Sequence, residues 1–199
     1  MSNYIRIDKT DSANGPGVRV VLWMAGCNHQ CPGCHNPETW DPDVGQPFTD
    51  ATMDELIEDL SKSYIRGLTL SGGDPLYPDN RETTLAIVKK CKEKLPNKDI
   101  WMWTGYLWEQ VQDLEIMNYV DVLVDGPFIM AEKDISLPYA GSRNQRVIDV
   151  QKFKRNEKTM EAFTDTMVKF MNGKITEDEC SAKMKDLGSF DLSGYSNEK

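Results

Sequence analysis

One stretch of the chain joins an apolar run to a cysteine-rich loop: Val18-Arg-Val-Val-Leu-Trp-Met-Ala-Gly-Cys-Asn-His-Gln-Cys-Pro-Gly-Cys-His35. Its first part, Val18–Ala25, is rich in Val, Leu and Trp, which predicts a strand buried on both faces. Its second part brings Cys27, Cys31 and Cys34 together within eight residues. A buried strand that runs into a loop with ligand spacing predicts a sheet that carries a cofactor at its strand ends.

The three cysteines have the spacing of a metal-cluster loop. Three thiolates can hold three irons of a four-iron cluster, and the loop offers no fourth cysteine, so one iron keeps an open position for a small molecule. Zinc is the alternative, because His29 or His35 would complete a Cys3His set. The spacing disfavours zinc, since structural zinc sites commonly combine paired Cys-x-x-Cys units from separated segments.

Length and charge narrow the class of protein. The 199 residues suffice for one compact domain with a small appendage. The net charge of -9 argues against non-specific nucleic-acid binding. No apolar stretch is long enough to span a membrane and the N-terminus does not resemble a signal peptide, so we expect a cytoplasmic protein. The odd count of five cysteines fits a reducing compartment, with Cys91 and Cys180 as ordinary buried residues.

Short apolar runs alternate with amphipathic stretches along the first three quarters of the chain. The predicted strands are Tyr4–Asp8, Val18–Ala25, Gly67–Leu70, Asp99–Trp103, Val120–Val124 and Val147–Val150. The predicted helices are Thr49–Ser63, Arg81–Lys94 and Tyr106–Leu114. This alternation predicts an α/β fold with a mostly parallel sheet.

The unusual loops all follow predicted strands. Besides the cysteine loop, they are Ser71-Gly-Gly-Asp-Pro75, Thr104-Gly-Tyr106 and Asp125-Gly-Pro127. Because parallel strands end at the same edge of a sheet, we expect these loops to form one site there.

The character of the sequence changes after about Asn156. Apolar residues at helical spacing, a Gly at 173 and the capping box Thr176-Glu-Asp-Glu179 predict a helical hairpin over 156–190. A polar tail, 191–199, is expected to be disordered. The predicted organisation is therefore a main domain over 1–155, the hairpin extension and the tail.

The cysteine loop and Gly72-Gly-Asp-Pro75 together resemble the radical S-adenosylmethionine superfamily. The resemblance implies a [4Fe–4S] cluster on Cys27, Cys31 and Cys34, with S-adenosyl-L-methionine chelating the open iron. An electron from the cluster would then cleave the sulfonium to give a 5′-deoxyadenosyl radical.

Further motifs narrow the resemblance to the family that activates anaerobic ribonucleoside-triphosphate reductase. They are Asn14-Gly-Pro-Gly-Val-Arg19, His35-Asn-Pro-Glu-Thr-Trp40, Ile100-Trp-Met-Trp-Thr-Gly-Tyr106, Val122-Leu-Val-Asp-Gly-Pro-Phe128 and Gly141-Ser-Arg-Asn-Gln145. The resemblance implies that the radical removes hydrogen from a glycine of the large reductase subunit and leaves a glycyl radical. It also implies a one-electron reductant such as a flavodoxin.

The resemblance assigns cofactor contacts to two loops. Many superfamily members carry an aromatic residue at the position of Gly33, whereas the activating family carries glycine there, as this chain does. The backbone of Gly33, Cys34 and His35 is therefore expected to contact the adenine. The other contacts are expected from Ser71, Gly72, Gly73 and Asp74, the last as an acceptor for the ammonium group. No side-chain acid or base is expected to be catalytic. An open partial (βα)6-type barrel would admit a peptide loop from its open side.

Two other functions stay open from the residues. One is a radical enzyme that acts on another protein or on a small molecule. The other is a non-catalytic metal-binding interaction protein. Among weaker candidates, Asp125 could orient a ligand or form a turn, and Trp101 and Trp103 share one face of a strand, which favours core packing over adenine stacking. Arg143 and Arg146 could anchor the partner or a carboxylate, but we expect solvated surface arginines at both positions.

Overall fold

The computed structural model describes residues 2–187. The tail expected at 191–199 and the end of the expected hairpin lie outside the described residues. The chain divides into two compact units, one ending at Ile148 and the other beginning at Asp149. This division falls before the boundary expected after residue 155, because the next helix already begins at Val150.

Within residues 2–187 the sheet has seven strands in the order β3-β1-β2-β4-β5-β6-β7. They are β1 (Asn3–Asp11), β2 (Val18–Met24), β3 (Gln46–Pro47), β4 (Ile65–Gly72), β5 (Asp99–Trp103), β6 (Val122–Asp125) and β7 (Arg146–Asp149). The strands β2, β4, β5 and β6 pair in parallel. The predicted α/β class with a mostly parallel sheet is therefore confirmed.

The first strand departs from the parallel arrangement. β1 pairs with β2 in antiparallel fashion, and β3 adds antiparallel to β1. The connection over 12–17 is too short for a parallel crossover, which needs about a dozen residues or more. β3 has only two residues and no apolar alternation, so no pattern in the sequence predicts it.

The core lies around the central strands. Residues 20–22, Met24 and Ala25 are fully buried, as are Leu68 and Leu70 of β4. Burial on both faces explains why these strands are near-continuous apolar runs rather than alternating ones.

The helices α1 (Asp50–Ser61), α2 (Arg81–Lys94) and α3 (Trp108–Val111) follow the predicted order. Thr49 caps α1, accepting a hydrogen bond from the Thr52 backbone N–H. The predicted helix Tyr106–Leu114 is wrong in extent, because only four of its residues are α-helical and Leu114 takes up an extended backbone.

The second unit contains α4 (Val150–Met171) and α5 (Glu177–Leu187), which contact each other. Gly173 adopts a left-handed backbone with φ +65° just after α4, as expected for a helix end. Glu179 accepts from the Thr176 backbone N–H at 2.8 Å and its own N–H donates to the Thr176 hydroxyl at 3.3 Å, so the predicted capping box is present. Of the helices in residues 2–187, none combines the length and apolarity needed to cross a bilayer.

Candidate functional site

The carboxyl ends of the parallel strands surround a cavity of about 580 Å³. This volume lies within the range of small-molecule sites, roughly 300–1,000 Å³. The residues predicted from the sequence as cofactor contacts all line it: Cys27, Cys31, Gly33, Cys34, His35, Ser71, Gly72, Gly73 and Asp74. The structure thus brings together the two loops that the sequence placed at the same edge of the sheet.

Backbone hydrogen bonds shape the cysteine loop. The N–H of Cys27 donates to the Trp40 carbonyl at 2.9 Å, and the N–H of Cys34 donates to the Cys31 carbonyl at 3.0 Å. Gln30, with φ +46°, and Gly33, with φ +76°, both adopt left-handed backbone. These turns leave the three cysteines half-buried with free thiols.

Burial raises the pKa of the Cys27 thiol to about 11, although backbone N–H groups of His29 and Gln30 act in the opposite direction. The free thiol is therefore protonated at neutral pH. Binding of iron must displace that proton, because the thiolate is the form that ligates metal.

Close packing of the backbone requires the two glycines of the second loop. Ser71 and Gly72 still belong to β4 and pair with Trp23 and Met24 of β2. A Cβ on Gly72, which has φ +102°, would lie 2.6 Å from the Met24 backbone. A Cβ on Gly73 would lie 2.5 Å from the Gly26 carbonyl oxygen. The glycines thus allow β4 and its loop to approach the start of the cysteine loop.

The buried Asp74 carboxylate forms hydrogen bonds with the cysteine loop and with the loop after β5. One oxygen accepts from the Leu76 N–H at 2.8 Å, and the other accepts from the Gly105 N–H at 2.9 Å. The Thr104 hydroxyl lies 2.9 Å from both oxygens, and His29 Nε2 lies 2.9 Å from Oδ2. Donors of the protein itself therefore occupy both oxygens. The predicted contact of Asp74 with an ammonium group stays a prediction.

Gly33 faces a methionine rather than open space. A Cβ at this position would collide with the Met130 side chain. Gly33 and His35 are both exposed and line the cavity. Met130 is 49% exposed and its terminal methyl can move, so the stronger physical reason for glycine at this position is the left-handed backbone, with φ +76°.

The two tryptophans of β5 differ in their surroundings. Their rings lie 5.7 Å apart, so they share one face as predicted. Trp101 is buried, whereas Trp103 lines the cavity and donates from its ring N–H to the Tyr139 carbonyl at 2.9 Å.

Asp125 and Arg146 form an ion pair between a buried carboxylate and a partly exposed guanidinium, and the sequence did not indicate that these two residues meet. Arg146 contacts the fully buried Asp125 at 2.5 Å and Glu109 at 2.9 Å. Arg146 is 41% exposed and is therefore a partly solvated arginine, as expected, and tertiary folding also brings these two carboxylates to it. Arg143 is mostly exposed and pairs with Asp134 at 3.0 Å.

The donor set fits an iron–sulfur cluster. Three free thiols face a cavity whose other wall is a glycine loop. Within residues 2–187, no three His, Cys, Asp or Glu side chains converge closely enough to share a single metal ion. A [4Fe–4S] cluster demands less convergence, since each thiolate binds a different iron.

Comparison with known proteins gives two levels of similarity. A family model described as a 4Fe-4S single cluster domain matches residues 13–148. An anaerobic ribonucleoside-triphosphate reductase-activating protein from Enterobacteria phage T4 is 52% identical over 147 residues, covering 73% of this chain and 92% of the relative. The proteins of that name from Escherichia coli strain K12 and Haemophilus influenzae are 44% and 45% identical, covering 73% and 72% of this chain and 97% and 95% of the relatives.

The cysteine-lined cavity and the matched family model define a single-cluster iron–sulfur protein. Within that class, the chain belongs to the family of anaerobic ribonucleoside-triphosphate reductase-activating proteins. The family decides between the two metals considered for the cysteine loop, in favour of the cluster over zinc. The match to the family model ends at residue 148, where the first compact unit also ends.

Proposed function

We propose that this protein is an oxidoreductase that activates anaerobic ribonucleoside-triphosphate reductase. The observation that carries the proposal is the convergence of the cysteine loop and the Ser71–Asp74 loop on one cavity at the strand ends. The names of the relatives agree with this function. When bound there, a [4Fe–4S] cluster and S-adenosyl-L-methionine supply a 5′-deoxyadenosyl radical that takes hydrogen from a glycine of the reductase.

Cys27, Cys31 and Cys34 would hold the cluster through three of its irons. Their half-buried positions support this role, because a cluster loop must shield its irons and yet leave one iron accessible. Gly33, His35 and residues 71–74 would hold S-adenosyl-L-methionine from the two sides of the cavity.

Residues of the chain itself would hold the cofactor-binding loops in place and exclude water from the cavity. Asp74 ties together the loops that follow β4 and β5, and through His29 it also ties the cysteine loop. The ring of Trp103 adds an apolar surface to the cavity wall. An apolar, rigid wall suits radical chemistry because it offers few mobile groups for side reactions.

The finer architecture belongs to the same proposal. The linear strand order, with β3 and β7 at its two edges, supports an open partial (βα)6-type barrel whose free side admits the glycine-bearing segment of the large reductase subunit. The contact between α4 and α5, with the Gly173 turn between them, supports a helical hairpin extension after the main domain.

The cellular setting is part of the proposal. We place the protein in the cytoplasm, with a one-electron reductant such as a flavodoxin and without a nucleic-acid or membrane partner. The acidic chain, with a net charge of -9, and its free cysteines support this setting.

An electron paramagnetic resonance (EPR) experiment tests the function. The anaerobically reconstituted protein is mixed with S-adenosyl-L-methionine, a reductant and anaerobic ribonucleoside-triphosphate reductase. We expect a doublet from a carbon-centred glycyl radical, and no doublet when S-adenosyl-L-methionine is omitted. Release of 5′-deoxyadenosine without the doublet would contradict reductase activation, and no release at all would contradict the radical chemistry itself.

A further inference from the structure

His29 lies between the first two cysteines of the loop. Its side chain is 18% exposed, so most of the imidazole is covered by protein. The residue after it, Gln30, has φ +46°, a conformation that non-glycine residues adopt only when their surroundings enforce it. The loop at this point is therefore held in place rather than free.

The imidazole connects the cysteine loop to the loop after β4. His29 Nε2 lies 2.9 Å from Asp74 Oδ2, across 45 positions of sequence. Asp74 Oδ2 also accepts from the Gly105 N–H, so this oxygen acts as an acceptor, which favours Nε2 as the donor in the contact with His29. This hydrogen bond runs directly from the segment between two cluster cysteines to the last residue of the Ser71–Asp74 loop.

The loop after β5 encloses the same ring from another side. A Cβ on Gly105 would collide with the His29 imidazole, so this glycine leaves the space that the ring occupies. The Tyr106 ring meets the imidazole edge to face, with centroids 4.5 Å apart. The Gly105 N–H donates to Asp74 Oδ2, the oxygen that His29 also contacts. Hydrogen bonding and shape thus select one position for the imidazole.

We propose that His29 is a positioning residue that fixes the distance between the cysteine loop and the Ser71–Asp74 loop. The proposal rests on the proposed function, because it assigns the cluster to one loop and S-adenosyl-L-methionine largely to the other. His29 does not ligate iron. Through Asp74 it would hold the loop that carries the three cysteines in a fixed position relative to the loop that would bind the methionyl end of S-adenosyl-L-methionine.

Three variants separate positioning from ligation and from folding. His29→Ala removes the donor and the ring, whereas His29→Gln keeps an N–H donor that can reach Asp74. Gly105→Ala displaces the imidazole while leaving His29 intact. Tyr106→Phe is the matched control, since it keeps the ring against His29 and removes only the hydroxyl, which lies 3.3 Å from Asn28 Oδ1.

Each variant is measured for iron content, for binding of S-adenosyl-L-methionine, and for amide hydrogen exchange of residues 27–31 without cofactor. We expect every variant to keep about four irons, since all three cysteines remain. S-adenosyl-L-methionine should bind about tenfold more weakly to His29→Ala and Gly105→Ala, which is the effect of losing one hydrogen bond to a charged group. His29→Gln should recover most of the affinity and Tyr106→Phe should match the wild type. Exchange should accelerate in the two weakened variants alone.

Two results would overturn the proposal. Equal affinity and equal exchange in His29→Ala and the wild type would show that the contact positions nothing. Loss of iron in both His29→Ala and His29→Gln would show that His29 is a ligand. Failure of the wild type to bind S-adenosyl-L-methionine would instead count against the proposed function, while the exchange measurements on cofactor-free protein would still decide whether His29 holds the loop.

Discussion

Strands β4 and β6 both end beside a glycine with positive φ and a buried aspartate. The pairs are Gly72 with Asp74 and Gly126 with Asp125. Asp74 accepts hydrogen bonds from His29, Thr104 and Gly105, which lie on two other loops of the cavity. Asp125 instead pairs with a cation, Arg146.

The difference shows how one residue type serves two tasks. Arg146 also contacts Glu109, so the charge of Asp125 is balanced within a surface network. The donors of Asp74 instead bring three cavity loops to one carboxylate, and Asp74 itself lines the cavity. The end of β4 therefore joins three loops of the cavity, whereas the end of β6 adds Gly126 to the cavity lining and pairs Asp125 with Arg146.

We expect the largest effect from a substitution in the cysteine loop, which follows β2 and lies beside the loop that follows β4. Cys31→Ala should lose the cluster and all reductase activation, because two thiolates seldom retain a four-iron cluster. Iron and sulfide analysis after anaerobic reconstitution measures the loss. Cys91→Ala is the control, since Cys91 is buried in α2 and burial raises the pKa of its thiol to about 12. An unchanged iron content in Cys31→Ala would show that the cysteine loop does not hold the cluster.

The next prediction compares the loss of stability when Gly72 and Gly126 are each replaced by alanine. Gly72→Ala should lower the free energy of unfolding by about 3–4 kcal/mol, because the new Cβ meets the Met24 backbone in addition to the strain of positive φ. Gly126→Ala should cost only about 1–2 kcal/mol, since its Cβ would find its nearest neighbour 3.5 Å away. Urea unfolding of both variants gives the comparison. Equal losses would mean that close approach of the backbone does not distinguish the two strand ends.

The two aspartates should differ in function more than in stability. In Asp74→Asn, buried donors would face an amide N–H, which should lower the free energy of unfolding by about 2–3 kcal/mol. The same change should reduce the release of 5′-deoxyadenosine about tenfold or more. Asp125→Asn should cost about 1–2 kcal/mol, because Arg146 keeps Glu109 and is partly solvated. Its release of 5′-deoxyadenosine should stay within about twofold of the wild type. A loss of activity as large as that of Asp74→Asn would place both strand ends in the cofactor site.

We expect the smallest effect from the ion pair between Glu109 and Arg146, whose contribution to stability should depend on pH. A hydrogen bond from Arg146 lowers the pKa of Glu109 below its usual 4.5. A carboxylate with a lowered folded-state pKa stabilises the protein above the unfolded pKa, and this stabilisation is lost as the pH falls through the folded value. The wild type should therefore exceed Glu109→Gln slightly in melting temperature at neutral pH, and the difference should shrink below about pH 4.5. A difference that stays constant down to acid pH would show that the exposed pair contributes nothing.

The sequence predicted those parts of the site that depend on local pattern. Cys27, Cys31 and Cys34 carry their spacing with them, and the apolar runs of β2, β4 and β5 marked where loops would meet. Strand boundaries were less accurate, since β4 continues through Ser71 and Gly72, which look like a turn in the sequence.

Contacts between distant segments could not be predicted in this way. The hydrogen bond between His29 and Asp74 spans 45 positions and the Asp125–Arg146 pair spans 21, so no periodicity encodes either. For the contact between His29 and Asp74, the sequence offered one hint, a histidine inside the cysteine loop together with Gly105 in the loop after β5. Only the fold shows that Gly105 leaves room for the His29 ring.

We propose that the cysteine loop and the Ser71–Asp74 loop form one site, in which the iron without a cysteine would bind S-adenosyl-L-methionine. The most direct test is electron–nuclear double resonance on the reduced cluster with S-adenosyl-L-methionine that carries ¹⁵N in its amino group. We predict a ¹⁵N hyperfine coupling to the cluster in the wild type. A cluster signal without any ¹⁵N coupling at saturating S-adenosyl-L-methionine would contradict the claim.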